Sequence, residues 1–409
     1  MRIVIVANDS RGGVQPYLAL GVGLRRAGHE PVILAPSDFA GMAEEAGIPF
    51  APLSGSVEEA ARRLGGGGQS VGLRTMRVAA REMQGLLATW TREALAACEG
   101  NDLVLGGIGG MAVARSSAEK LRIPFVEAHL QPLGISTDRY PGPLLAGMPR
   151  LGGVGWRLSH RATAMAVWMP LKGAMERARH DVLGLEGPMG RDGDGTVLYG
   201  FSRHVVPLPG DRRRTRLATG YWVLPTPEDW VPPPGLEAFI AADGPVVSIG
   251  FGSMAADDPA AMTEMVAGAV RDAGVRAVLL SGWGALAAHE HPDLFVVDAV
   301  PHDWLFPRVR AVVHHGGAGT TGAGLRGGVP SVVVPFGMDQ PFWASRVRAL
   351  GAGPDPIPRK RLTRDRLADA LRTAVTDRPM QAAAAGVGRV LRQEDGLAAA
   401  IAALERLAH

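Results

Sequence analysis

Two series of short β-branched runs, one on each side of a proline-rich stretch, constrain this chain more than any other feature. In the first, "RIVIVA", "PVILAP", "DLVLGG" (102–107) and "IPFVEAH" (123–129) alternate with longer helical patterns, including one from about Gly72 to Cys98. In the second, "PVVSIGFGS", "VRAVLLSG", "LFVVDAV", "RAVVHH" and "PSVVVPF" each lead into a helix or a glycine-rich turn, and the end of the chain from Leu362 is helical and alanine-rich. Strands that alternate with helices predict parallel sheets with crossover connections, an α/β fold. The 409 residues suit two domains. Pro and Gly cluster between Pro207 and Pro245, including "VPPPG", and mark the boundary. Pro16 at the start and Gly28 just past the end punctuate the first helix.

Between the two series, residues 130–185 read as an insertion without strands, in which Trp156, Trp168, Met165, Met169 and Met175 fall among Leu, Pro and Gly. Such residues at helical spacing build either core or the wall of an apolar cleft.

Composition excludes several classes. Cys98 is the only cysteine, so there is no intrachain disulfide, and a reducing cytoplasm is the expected compartment. The apolar run at the N-terminus is too short for a signal peptide and reads as a first strand; no segment has the length and apolarity of a membrane-spanning helix. A net charge of +3, from 43 basic and 40 acidic side chains, gives no case for nucleic acid. The one dense basic run, "DRRRTR" from Asp211 to Arg216, reads as a solvated loop, with weak contact to an anionic membrane surface as its alternative.

The chemistry concentrates in the second series. "GFGSM", "SGWGAL", "VPHDWLFP", "HHGGAGTT" and "PFGMDQP" all fall at the carboxyl ends of predicted strands, and in a parallel sheet those ends share one edge. The "GGAGTT" turn opens a helix, so unpaired amides and the positive end of the helix dipole await an anion such as phosphate. His315 can add a donor, Trp283 and Trp304 can flank a base, and Asp339 with Gln340 can serve sugar hydroxyls. A sugar nucleotide fits this set. No "GK[ST]" follows the glycines and the first turn, "NDSRGGVQ", lacks a dinucleotide fingerprint. "DGD" at Asp192 to Asp194 sits in a charged glycine-rich loop and reads as solvation, so no metal is expected.

The chain resembles the inverting glycosyltransferases of GT-B architecture, with two facing Rossmann-like domains and a cleft between them, above all the sterol glucosyltransferases and the bacterial enzymes that glycosylate hydrophobic natural products. The matching stretches are "RGGVQPYLALGVGLRRAGHE", "HLQP" (129–132), "SIGFGSM", "VPHDWLFP", "VVHHGGAGTTGAGLRGGVPSVVVPFGMDQPFWASRV" and "LGAGPDPIP". The resemblance implies an acceptor domain over 1–215, a donor domain over 216–390 and a last helix over 391–409 that packs back on the first domain. It implies that His315 and the Gly319–Thr320 backbone, with Gly317 and Ser253, hold the pyrophosphate. It further implies that Val300 and a nearby Trp receive the base, and that Asp339 and Gln340 bind the sugar. Ser10 and Arg11 join the donor side. Gly13, Gln131, Trp156 and Trp168 are the acceptor-side candidates. The implied reaction moves a hexose, glucose foremost, from a UDP- or dTDP-sugar to a hydroxyl of a sterol, macrolide, ansamycin or other polyketide, with inversion and with neither cofactor nor metal.

One departure matters. Relatives read Ser-Arg-Gly-Asp in the N-terminal loop and that carboxylate is taken as the catalytic base, whereas here the loop reads Ser10-Arg11-Gly12-Gly13. Asp9 on the same loop, His129 at the end of its strand, or an acceptor acidic enough to need little help are the three ways to replace it. Competing readings are a sugar-nucleotide epimerase, which needs no apolar acceptor pocket, a non-catalytic sugar-nucleotide or lipid sensor that has lost its base, and a nicotinamide-dependent oxidoreductase.

Overall fold

Strand formation follows the β-branched runs closely. The computed structural model describes residues 1–56, 73–146, 152–187, 189, 195–209, 215–252, 258–282 and 291–407. Among these residues the first sheet has seven strands, all parallel, in the order β3-β2-β1-β4-β5-β6-β7. These are β1 (Arg2–Val6), β2 (Glu30–Pro36), β3 (Phe50–Leu53), β4 (Leu103–Gly106), β5 (Phe125–His129), β6 (Val197–Tyr199) and β7 (Arg216–Ala218). The second sheet, also parallel, has five in the order β10-β9-β8-β11-β12: β8 (Val246–Gly250), β9 (Arg276–Leu280), β10 (Leu294–Val297), β11 (Ala311–His314) and β12 (Ser331–Val333). Ile3, Val4, Ile5 and Val6 are all fully buried, as expected of a central parallel strand covered by helices on both faces.

Strand order locates the ligand edge. In the first sheet the order reverses between β1 and β4, and in the second between β8 and β11; open parallel sheets bind ligands in the crevice outside such switch points. Asp9 to Gly13 follow β1, and His315 to Thr321 follow β11.

Three particulars differ from the sequence reading. The first helix begins at Arg11, not at Pro16, with Ser10 as its N-cap. Pro16 has no N–H, so the Gly12 carbonyl, four residues earlier, receives no helical bond from it. Strand β7 belongs to the first sheet, which therefore runs past the expected boundary at residue 215. Among the described residues, the insertion over 130–185 holds a short 3-10 turn, Pro143–Leu145, and one long helix, Gly152–Leu183, packed against the helix Leu73–Cys98. "DRRRTR" up to Arg214 and the "DGD" triplet lie outside the described residues.

The two domains are joined by more than the linker. Tyr199, Phe201 and Val205 share one buried cluster with Phe342, Trp343 and Val347. Arg346 Nε donates to the Val205 carbonyl at 2.8 Å and Ser202 Oγ to Glu394 Oε1 at 2.7 Å. The last helix, Gly396–Glu405, returns to the first domain: Ala400, Ala403 and Leu404 are buried in a cluster with Leu18, Leu20 and Leu24 of Arg11–Arg26.

Candidate functional site

The edge of the second sheet is built around bare backbone. Gly316 takes φ 92°, a conformation costly for a residue with a Cβ, and Gly317 is the N-cap of Ala318–Gly327 without a side-chain cap bond. The His315 ring lies over this turn: a Cβ on Gly317 would stand 2.5 Å from its Nε2, and one on Gly252 3.0 Å from its Cε1. Glycine at both positions therefore makes room for the imidazole. His315 Nδ1 is buried without a partner among the described residues, and burial lowers the ring's pKa to about 4. His314 Nδ1 accepts from the Gly316 amide at 3.1 Å, and burial, then the neighbouring His315 and His302, lowers its pKa to about 3. The result is an anion-shaped turn whose imidazoles are neutral when nothing is bound.

Facing it, the edge of the first sheet carries a carboxylate. Asp9 lies half-buried, its Oδ1 accepting from the Ser10 amide at 2.6 Å, and burial raises its pKa above the ordinary range. A Cβ on Gly13 would fall 2.2 Å from Asp9 Cγ and 2.4 Å from Oδ2. The Asp9 carboxyl thus occupies the space into which a side chain at position 13 would project. The turn after β4 holds this loop in place: a Cβ on Gly109 would meet the Asn8 carbonyl at 1.7 Å, and one on Gly110 the Val6 side chain at 2.5 Å. Tyr17, whose hydroxyl donates to the Ala128 carbonyl at 2.6 Å, feels the Asp9 charge, which joins burial in raising its pKa.

The two edges meet. A Cβ on Gly319 would stand 3.5 Å from the Gly12 carbonyl, the one released by Pro16. Asp339 has its pKa pushed up to about 6, first by burial and in part by the charge of Asp9, while the Trp343 Nε1 donor at 2.9 Å opposes the rise. Exposed Arg11 and His315 both act on His302, whose pKa burial lowers to about 4. Asp9, Arg11, His302, His315 and Asp339 therefore lie close together where the two edges meet.

Other sequence candidates are placed differently. The Trp304 ring packs on Trp230, centroids 5.2 Å apart, and under the Arg308 guanidinium at 4.5 Å. Residues 302 and 304 point in roughly opposite directions on a helix of about 3.6 residues per turn, so turning His302 to the cleft turns Trp304 to the linker. Gln340 is buried, its carboxamide oxygen accepting from the amides of Phe336 at 2.7 Å and Gly337 at 3.2 Å; it shapes the turn that presents Asp339. Trp168 is half-buried and packs against the core cluster containing Val4, Val6 and Ala94. Trp156 and Gln131 are half-buried, Val300 is buried with Leu305 and Phe306, and Thr320 is half-buried in the first turn of its helix. His129 is 2% exposed; its Nε2 lies 3.2 Å from Glu127 Oε2 and its ring 5.9 Å from that of Tyr199. Ser253 and Trp283 fall outside the described residues. Sequence reasoning missed His302, whose signal was its position in "VPHDW", and the "GGIGG" turn at 106–110.

Among the described residues no group of three His, Cys, Asp or Glu could hold a metal ion, and no helix is long and apolar enough to cross a membrane. Cys98 is buried, its thiol pushed up to about 12 by burial, which leaves it unreactive.

With this geometry in view, the chain can be set beside known proteins. Residues 250–395 match the family described as erythromycin biosynthesis protein CIII-like, C-terminal domain. The sterol 3-beta-glucosyltransferase of Aspergillus clavatus is 36% identical over 422 residues, covering 99% of this chain but 30% of that protein, so the chain spans under a third of the relative's length. The solved glycotransferase of kitacinnamycin superposes over 99% of this chain and 98% of its own, with TM-score 0.71 and 22% identity. The Streptomyces sp. SF2575 glycosyltransferase SsfS6, complexed with thymidine diphosphate, does so over 99% of each chain, with TM-score 0.64 and 21% identity. The chain thus has the two-domain GT-B fold over 99% of its length, and its residues 250–395 are similar to the erythromycin biosynthesis protein CIII-like C-terminal domain.

Proposed function

We propose that this protein transfers a hexosyl group from a UDP- or dTDP-sugar to a hydroxyl of a hydrophobic small molecule such as a sterol or polyketide, with inversion and without a metal. One observation carries the reading: a carboxylate from one domain and an amide-lined helix terminus with an unpartnered imidazole from the other face each other at the switch points of two parallel sheets. The relatives' printed activities agree with it.

In this reading Asp9 takes the acceptor's proton. Its carboxyl fills the space at Gly13, its raised pKa suits a base, and its charge reaches Asp339, the expected sugar ligand. His129 is the weaker candidate because it is buried and engaged with Glu127. The acceptor oxygen, as its proton passes to Asp9, forms a bond to the anomeric carbon. The bond from that carbon to the diphosphate breaks on the opposite face. The amides at the start of Ala318–Gly327, His315 and Arg11 stabilise the charge that the diphosphate gains, a role that needs no metal. Asp339 orients the sugar, and the shared wall of Gly12 and Gly319 brings donor and acceptor loops together.

Product analysis by mass spectrometry tests this. With chelator present, the protein is incubated with UDP-glucose or dTDP-glucose and a panel of sterols, macrolides, alcohols and phenols. A new glycoside of inverted configuration is expected; nucleotide binding without any glycoside on a broad panel would favour a sensor. Reaction of phenols alone would show that acceptor acidity replaces the base.

A further inference from the structure

The helix Gly152–Leu183 has an outer face that the reading above does not use. Val154, Leu158, Met165 and Met169 are 77%, 56%, 57% and 64% exposed. At about 100° per residue their side chains fall within roughly 60° of one another, so they form one row. The inner side of the same helix supplies Ala174, Met175 and Ala178 to the core. The helix is therefore apolar on its outside as well as its inside, which an ordinary surface helix avoids.

Charge on this face is positive over residues 152–173, which contain no Asp or Glu: exposed Arg161 and Lys172 stand in line with the apolar row, with exposed Arg157 at its border, and Glu176, one turn past Lys172, ends the row. Arg157 pairs with Asp138 at 2.8 Å and Lys172 with Glu176 at 3.9 Å, both at exposed positions where such pairs exchange freely with solvent ions. Beside the row a groove of about 310 Å³ is lined by Ser136, Val154, Arg157, Leu158 and Arg161. Two guanidiniums one turn apart, a serine hydroxyl and flanking apolar side chains match a phosphate ester whose acyl chains lie next to it. A row of Val, Leu and Met with basic residues on either side is the pattern of a helix lying in a bilayer interface, with long basic side chains reaching the headgroups.

We infer that the outer face of Gly152–Leu183 docks on an anionic phospholipid bilayer, with lipid phosphate in the Ser136–Arg157–Arg161 groove and Val154, Leu158, Met165 and Met169 in the acyl boundary. Like charge and apolar surface in one continuous strip favour a bilayer over a second copy of this chain, since two such strips facing each other would repel. The site also borders the domain seam: His160 Nε2 lies 3.0 Å from the Tyr140 carbonyl, and the Tyr140 ring packs on Phe342 of the other domain at 5.5 Å. A hydrophobic alcohol dissolved in that bilayer would be delivered next to the cleft; this last consequence alone rests on the proposed function.

Cosedimentation of the whole chain with vesicles tests the inference. Vesicles of phosphatidylcholine with phosphatidylglycerol at 7:3 are compared with pure phosphatidylcholine, at low and at high salt. Binding to the anionic vesicles at least about tenfold above the neutral ones is expected, falling as salt rises. Met165→Ser/Met169→Ser and, separately, Arg161→Glu should each lower it by about tenfold or more. Unchanged thermal midpoint and unchanged nucleotide affinity in both variants would show that fold and cleft are intact. Equal binding to both vesicles, none to either, or variants that bind like the parent would overturn the inference. Self-association in analytical ultracentrifugation that the same substitutions abolish would overturn it too, by making a second copy the occupant. Glycoside formation on a water-soluble phenol is measured alongside, so that failure of docking and failure of the proposed reaction are told apart.

Discussion

The turn after β1 and the turn after β11 are the same structural unit, a central parallel strand leading into a helix at a switch point, yet they are furnished oppositely. After β11 there are glycines, neutral imidazoles and uncapped amides; after β1 a carboxylate is pressed against a glycine in the first turn of the helix. In the proposed reaction the first arrangement would hold negative charge and the second would accept a proton. Placed face to face, the pair would then separate the two halves of a displacement, the leaving anion on one side and the arriving nucleophile on the other. The lesson is that the fold supplies two equivalent ligand edges and a few side chains decide which half of the chemistry each performs.

The largest expected effect comes from removing the charge on the β1 side. Asp9→Asn should lower kcat by about 10²–10⁴-fold while leaving nucleotide Kd within a factor of about two by calorimetry. A collapse of nucleotide affinity would instead put Asp9 on the donor side and break the comparison. On the β11 side, His315→Ala should cost about 10²–10³-fold in kcat, the scale of a lost oxyanion donor, and should also weaken diphosphate binding. Loss of kcat alone, with nucleotide affinity untouched, would assign His315 a different task.

Trp304 gives a control between these extremes. Because Trp230 and Arg308 cover its ring, Trp304→Ala should lower stability by roughly 2–3 kcal/mol, seen in denaturant unfolding, with nucleotide affinity nearly unchanged. A large loss of affinity without loss of stability would return Trp304 to the base pocket.

The smallest effects are in pH. Asp9 must be ionised to act, and its pKa is raised, so the acid limb of kcat/KM should lie above the usual aspartate range. The charge of Asp9 is one of the causes that raise Asp339 to about 6, so Asp9→Asn should move the Asp339 titration, followed by NMR, to lower pH. The folded protein holds His302, His314 and His315 at about 4, 3 and 4 against 6.5 unfolded. The unfolded chain therefore takes up protons first, and the stability these groups contribute above pH 6.5 is lost as pH falls from there toward 4. A thermal midpoint that stayed constant over that window would show that the imidazoles are solvated in the free protein.

Much of this was legible in the sequence, unevenly. Nine of the strands follow from β-branched runs, whereas β3, β6 and β7 are three or four residues long and β7, "RLA", has no β-branched residue at all. The bare backbone after β11 could be read because glycine and histidine in "HHGGAGTT" declare their chemistry locally. After β1 the sequence offered Asp9 and Gly13 as candidates, but not their contact with each other, nor the approach of the "GGIGG" turn to Asn8. The packing of Trp304 could not be read for a related reason, because a four-residue helix sets its direction. Likewise the sequence did not show that Trp168 packs against the core cluster between long helices.

The most direct test exchanges the carboxylate between positions 9 and 13. Gly13→Asp alone should displace the Asp9 carboxyl, since its Cβ would meet Asp9 Cγ at 2.2 Å, and so should not raise activity. Asp9→Gly alone should lose most of kcat. The account predicts that Asp9→Gly/Gly13→Asp recovers at least about tenfold over Asp9→Gly, because one volume at the switch point holds the base whichever residue supplies it. Full activity in Asp9→Gly, or a double variant no better than Asp9→Gly in a protein of unchanged thermal midpoint, would contradict it.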